Sequence, residues 1–160
     1  MTINSDGTVT SSGNIEPATP TVTTTLILTL ENGSTLEAGY ADDTVTFVAS
    51  VLPSTWIGIG YGSSMYDTDE VIWAAGADAS SSTVYDTYST ADTRPAEDST
   101  NLYTTATPVL TNGFIVFTST RPLTPPTSDT NSFTITLGTS NDMILAYNDY
   151  DSTKGYNPGI

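Results

Sequence analysis

The chain has 160 residues, 37% of them hydrophobic and 9% aromatic, which is the size and composition of one folded domain with a single substantial core. Eighteen acidic residues stand against three basic ones (Arg94, Arg121 and Lys154), and the formal net charge of −15 argues against nucleic acid and anionic membranes as partners. Cysteine and histidine are both absent, which removes disulfides, thiolate nucleophiles, zinc–thiolate sites and Ser-His-Asp relays.

The first twenty residues, MTINSDGTVTSSGNIEPATP, are polar and rich in turn formers. They read either as a linker or loosely attached arm, or as carrying a short edge strand over Gly7 to Thr10. From residue 21 to 160 the chain reads as one domain, strand after strand. Apolar and polar positions alternate in TVTTTLILTL (21–30), DTVTFVASVL (43–52), TWIGIG (55–60), DEVIWAA (69–75) and STVYDTYS (82–89). The pattern resumes in NLYTTATPVL (101–110), GFIVFTST (113–120), SFTITL (132–137) and MILAY (143–147). Val, Ile and Thr dominate these runs. Turn signals separate them at Glu31-Asn32-Gly33, Asn112-Gly113, Pro122 to Pro126 and Asn141-Asp142. Asn112-Gly113 between two such runs predicts a tight hairpin. The proline-rich segment from Leu123 to Asp129 is expected to cross between sheets. No stretch shows helical periodicity with caps, and no internal repeat is visible. The expectation is an all-β fold, a sandwich or a barrel.

No window reaches the roughly 20 apolar residues of a membrane span, so insertion into a membrane is not expected. No charged-then-apolar leader opens the chain. The Thr/Ser/Asp-rich, lysine-poor composition is that of a secreted or extracellular protein. The chain is expected to be a domain excised from a longer parent, where other domains flank it. Asn32-Gly33-Ser34 is a sequon compatible with secretion.

The run Trp56-Ile-Gly-Ile-Gly60-Tyr-Gly62-Ser-Ser-Met65, followed by Asp69 and Val71-Ile72, resembles the signature of the DOMON domain. That signature is a W-apolar-G-apolar-G-x-G-x-x-M strand and loop leading into an Asp and a second apolar strand. Downstream, Val84-Tyr85-Asp86-x-Tyr88-Ser89, then Pro95 and Asp98, are similar to the family's next segment. Phe117-x-x-x-Arg121-Pro122-Leu123 resembles its F-x-x-x-R-x-L strand end, and Ile144-Leu145-Ala146-Tyr147 its closing strand. The resemblance covers about Thr21 to Tyr147. It implies an immunoglobulin-like antiparallel β-sandwich of two sheets, about ten strands in all, holding a small ligand between loops at one edge. The family includes the haem-binding cytochrome domain of cellobiose dehydrogenase and is considered related to sugar-binding modules. In its haem-binding members the loop methionine is one axial iron ligand, and a histidine after the last strand is the other. Met65 stands at the position of that methionine, a soft thioether donor suited to reduced iron. The sequence departs from the pattern after Ala146, where no histidine follows. A haem b would then need Met143, Lys154, a tyrosinate, or a histidine from outside these residues as its second ligand. Otherwise the pocket has another use.

Met65 is therefore read either as a ligand or as a flexible plug over the end of the sandwich, and Met143 as a core residue on its strand. Tyr61, Tyr66, Tyr85, Tyr88, Tyr147, Tyr150 and Tyr156 fall in or near the loops that rim the family's pocket. Tyrosines suit sugars, which offer apolar C–H faces and hydroxyl edges; they are also common strand residues. Trp56 and Trp73 are expected in the core. The triplet Asp67, Asp69 and Glu70, and the pair Asp149 and Asp151, are either calcium donors or solvated surface groups. Arg94 and Arg121 are each expected to pair with a carboxylate and pin a loop. Nothing in the spacing of the carboxylates supports a glycosidase pair. The reading is a non-enzymatic binding module whose ligand, a carbohydrate or other small molecule, sits around Met65. The alternatives are a haem-binding electron carrier and an adhesion or assembly unit without a small ligand.

Overall fold

The computed structural model describes residues 2–3, 9–10, 23–91, 95–140 and 142–148. Its strands, in chain order, are β1 (Thr2–Ile3), β2 (Val9–Thr10), β3 (Thr23–Thr29), β4 (Thr35–Ala41), β5 (Thr44–Val51), β6 (Trp56–Tyr61) and β7 (Thr68–Ala74). After a single 3-10 turn at Ala79–Ser81 follow β8 (Thr83–Ser89), β9 (Ala96–Glu97), β10 (Thr104–Thr105), β11 (Val109–Thr111), β12 (Phe114–Pro122) and β13 (Met143–Tyr147). No helix among the described residues is long and apolar enough to cross a membrane.

Two antiparallel sheets form a β-sandwich. The first has six strands, in the order β10-β12-β5-β4-β3 with β11 also paired to β12; the second has five, in the order β13-β6-β7-β8-β9. β1 and β2 pair with each other as a separate two-stranded ribbon. The chain builds β3 to β5 in the first sheet, β6 to β9 in the second, β10 to β12 back in the first, and finally β13 at the edge of the second. Short strands alternate inward and outward residues. β5 turns Val45, Phe47, Ala49 and Val51 inward, β12 turns Ile115 and Phe117 inward, and β6 and β7 answer with Ile57, Ile59, Val71 and Trp73. The indole of Trp73, fully buried, lies 5.5 Å from the Phe47 ring and donates to the Ser119 hydroxyl across the sandwich at 3.1 Å. Trp73 is thus a core residue.

The Asn112-Gly113 hairpin is present: Thr111 pairs with Phe114, and the two turn residues have φ of 51° and 85°, both in the left-handed region a two-residue turn demands. Elsewhere the sequence expectations need correcting. β4 was not among the expected strands, because Glu37, Ala38 and Gly39 have poor strand propensity. It forms because it lies between β3 and β5, with Leu36 and Ala38 filling the core. The run 101–110 is split into β10 and the start of β11 around Pro108, which cannot donate to a ladder. The run 132–137 forms no strand and is held as an extended segment by contacts described below. Met143 is 41% exposed on an edge strand and is not a core residue.

Candidate functional site

On β6 the inward residues Ile57, Ile59 and Tyr61 leave Trp56, Gly58 and Gly60 on the outer face of the second sheet. Register places Gly60 between Glu70 of β7 and Ile144 of β13, and Gly58 between Ile72 and Ala146. With no side chains at the two central positions, the neighbours lean over β6. A Cβ at Gly60 would stand 2.8 Å from Ile144 Cγ1 and Thr68 Cγ2. The result is a depression of about 70 Å3, floored by β6 and walled by Trp56, Ile72, Ile144 and Ala146, with Met65 and Pro95 as its rim. Met65 reaches it because Thr68 ties the loop: its hydroxyl donates to the carbonyls of Ser64 (2.6 Å) and Tyr66 (3.1 Å). Asp67 turns the chain at a φ of 50°.

Two polar atoms at this cavity are buried and have no partner among the described residues: Glu70 Oε1 and Trp56 Nε1. Glu70 is 6% exposed. Burial, and then the charge of neighbouring Asp69, push its carboxyl up to about 7. At neutral pH Glu70 can therefore accept a hydrogen bond or donate one.

Behind β6, on the inner face, Arg121 is the centre of a second polar cluster. It is fully buried and forms an ion pair with Asp69, Nη1 to Oδ2 at 3.0 Å. Arg121 also donates to the Tyr103 hydroxyl at 3.4 Å and to the Phe133 carbonyl, while the Phe133 N–H donates to Asp69 Oδ2 at 2.7 Å. Its guanidinium lies 5.0 Å from the Tyr61 ring centroid and 5.6 Å from that of Tyr103. Burial pushes the Tyr61 hydroxyl up to about 12, and it shares a 3.2 Å hydrogen bond with Tyr103. Asp86, beside this cluster, accepts from the Leu102 N–H at 2.7 Å; burial raises its carboxyl to about 6 against that bond.

The structure distributes the expected site residues unevenly. Met65 lines the outer cavity. Tyr66, next to it, is 64% exposed, and Tyr85 lies on the same outer face, one strand beyond Ile72. Tyr61 is a correction: it is 6% exposed and sits inside the sandwich, because the alternation that puts Gly60 outward puts Tyr61 inward. Tyr88, paired with Asp69, and Tyr147, paired with Ile57, also belong to the inner-facing rows rather than to the rim of the Met65 cavity. Tyr150 and Tyr156 lie outside the described residues, as do Arg94, Lys154, Asp149 and Asp151. The acidic triplet is not a solvated cluster. Asp67 is exposed, Asp69 points inward to Arg121, and Glu70 points outward beneath Met65. No group of three or more His, Cys, Asp or Glu able to hold a metal ion occurs among the described residues. Glu70, read as a calcium donor or a solvated group, and Trp56, expected in the core, both line the outer cavity instead. Strand parity held the signal, because Glu70 shares a face with Ile72, opposite two glycines.

A β-sandwich with a concave, mostly apolar site on the outer face of one sheet has a layout that suits a ligand-binding module. The chain belongs to the DOMON domain family, whose model matches residues 31–148, a span that contains both sheets' central strands and every residue lining the Met65 cavity. It is a family of ligand-binding and haem-binding modules. Comparison with curated proteins and with solved structures returns no match.

The residues present do not fit a haem held as in the family's haem-binding members. Met65 supplies a thioether at the cavity, but the 160 residues contain no histidine. The cavity of about 70 Å3 is also far too small to enclose a porphyrin, although it can take the edge of a smaller ring. What the site offers is the edge of one ring's worth of apolar surface, an acceptor or donor at Glu70, and a donor at Trp56.

Proposed function

We propose that this chain is a non-catalytic, extracellular binding module that recognises a carbohydrate or a similar small neutral ligand at the outer cavity beside Met65. The observation that carries the reading is the pair of unpartnered buried polar atoms, Glu70 Oε1 and Trp56 Nε1, in one otherwise apolar cavity. Leaving such groups unsatisfied is costly, and a ligand that partners both recovers that cost on binding. A sugar ring edge has the matching pattern: hydroxyls for Glu70 and Trp56, and C–H groups for Met65, Ile72 and Ile144. Tyr66 and Tyr85 flank the cavity and extend the aromatic surface. The surface charge of −15 disfavours anionic glycans, so neutral sugars are the expected class.

Tryptophan emission tests this directly. Only two tryptophans exist, and Trp73 is sealed in the core, so a saturable change on titration with a panel of neutral glycans reports on Trp56. The Glu70→Gln and Met65→Ala variants should weaken that change without loss of fold. A flat response across the panel refutes the carbohydrate reading. A parallel haem titration giving a saturable Soret band, altered in Met65→Ala, would replace it with the electron-transfer alternative.

A further inference from the structure

The two sheets do not meet across their full width. Between the edge strand β3 of the first sheet and β13 of the second, the inter-sheet space opens as a cleft of about 230 Å3 lined by Leu26, Phe47, Tyr61, Ile135, Leu137 and Met143, among others. It lies on the opposite side of β6 and β13 from the Met65 cavity, since Tyr61 and Met143 face it while Gly60 and Ile144 face outward. It is three times the size of that cavity, and its deep end is the core itself, where Phe47 is 2% exposed.

A cleft of this kind ordinarily closes as its walls collapse. Here one wall is fixed. The Phe133 N–H is bonded to Asp69 and its carbonyl to Arg121, both members of the buried ion pair. The Phe133 ring stacks on Tyr61 at 5.3 Å with 4° between planes. Two residues on, the Ile135 N–H donates to the Leu123 carbonyl at 2.8 Å. Ile135 and Leu137 are thereby fixed as one wall of the cleft, with Ile135 packed at the margin of the core. Water inside the cleft would find few polar partners, whereas apolar matter would gain contacts with a preformed wall.

From this geometry we infer a second binding site, between the sheets, for an uncharged apolar molecule of one or two rings or one short alkyl chain. The volume approaches the lower end of small-molecule pockets. Charge decides against an acid. The one basic residue among the described residues is Arg121, and it is buried and fully engaged, so a carboxylate head group would find no free counter-ion among the described residues and would meet a net charge of −15. The site is independent of the carbohydrate reading, because the two cavities share no side chain of a candidate ligand contact.

The test is titration with 6-propionyl-2-(dimethylamino)naphthalene, a neutral two-ring fluorophore, followed by competition with 1-octanol and with octanoate. Saturable one-to-one enhancement, displaced by octanol and not by octanoate, is the expected result. Leu137→Ser, at an exposed rim position, keeps the fold and should weaken the probe by about tenfold, and Ala38→Leu should fill the cleft and abolish binding. Met65→Ala should leave the probe unaffected, which separates this site from the outer one. The inference is overturned by absence of saturable binding, by equal displacement with octanoate, by an unchanged affinity in Leu137→Ser, or by binding that tracks self-association of the chain. The last result would assign the cleft to a second copy instead.

Discussion

Replacing Arg121 by methionine keeps a long apolar stem in the core but withdraws the guanidinium from all its partners at once. Asp69 would retain only the Phe133 N–H at 2.7 Å, and the Phe133 carbonyl and the Tyr103 hydroxyl would lose a donor. The rings of Tyr61 and Tyr103 would lose the cation lying 5.0 and 5.6 Å from them. Removing one partner of a buried pair costs about 3–5 kcal/mol because the other charge stays behind without compensation. The cation–π contacts are part of the same loss and are not added to it. Set against the roughly 5–15 kcal/mol that holds a whole domain folded, this is a large share. Urea unfolding followed by tryptophan emission should show the midpoint falling by about 2 M, taking a slope of ~2 kcal/mol per molar. The double variant Asp69→Leu/Arg121→Met removes both charges and should recover much of the loss, since the uncompensated carboxylate is gone. A single-variant loss below about 1 kcal/mol, or a double variant no better than the single, would refute the view that this pair organises the segment from Phe133 to Leu137.

Three further outcomes follow from the geometry. Glu70 is raised from its ordinary 4.5 to about 7, so the folded state holds its proton more tightly than the unfolded chain. That contribution to stability is fully present below the ordinary value and is lost as pH rises through about 7, so Glu70→Gln should melt increasingly above wild type between pH 5 and pH 8, by about 1–3 kcal/mol in unfolding free energy at the upper end. Asp86, raised to about 6, acts in the same direction at lower pH. Gly60→Ala forces a Cβ to within 2.8 Å of Ile144 and Thr68, and should cost about 1–3 kcal/mol in thermal melts while reshaping the outer cavity. Gly113→Ala meets nothing within 4 Å, so its cost of about 1 kcal/mol should come from the φ of +85° alone, leaving every ligand titration unchanged.

Alternation and turn chemistry made most of the sandwich legible in the sequence. Strand runs with β-branched residues, and the Asn112-Gly113 turn, carry their own local reasons. β4 does not: its Glu37-Ala38-Gly39 centre becomes a strand only between two partners, which no local window contains. The segment 132–137 is the converse case, strand-like in pattern but diverted because the Arg121–Asp69 pair takes the backbone groups of Phe133. Met65 was legible through its place in the family signature. Glu70 was not, since an acidic residue beside two others reads as surface until register shows that Asp69 and Glu70 face opposite ways and that Met65 covers the second. Arg121 could be read as a pinning residue from the scarcity of cations, but not as the centre of a stacked aromatic cluster, which depends on three elements remote in sequence.

The edge strand Met143–Tyr147 supplies Met143 to the inter-sheet cleft and Ile144 and Ala146 to the outer cavity. It is also the last of the described strands in chain order, joining β6 after the other described strands of both sheets have been laid down. During synthesis the sandwich can therefore close its core while neither cavity yet exists, and both are completed together when residues 143–147 leave the ribosome. Whatever binding the two cavities support is therefore gained in one step, once residues 143–147 have emerged and paired with β6.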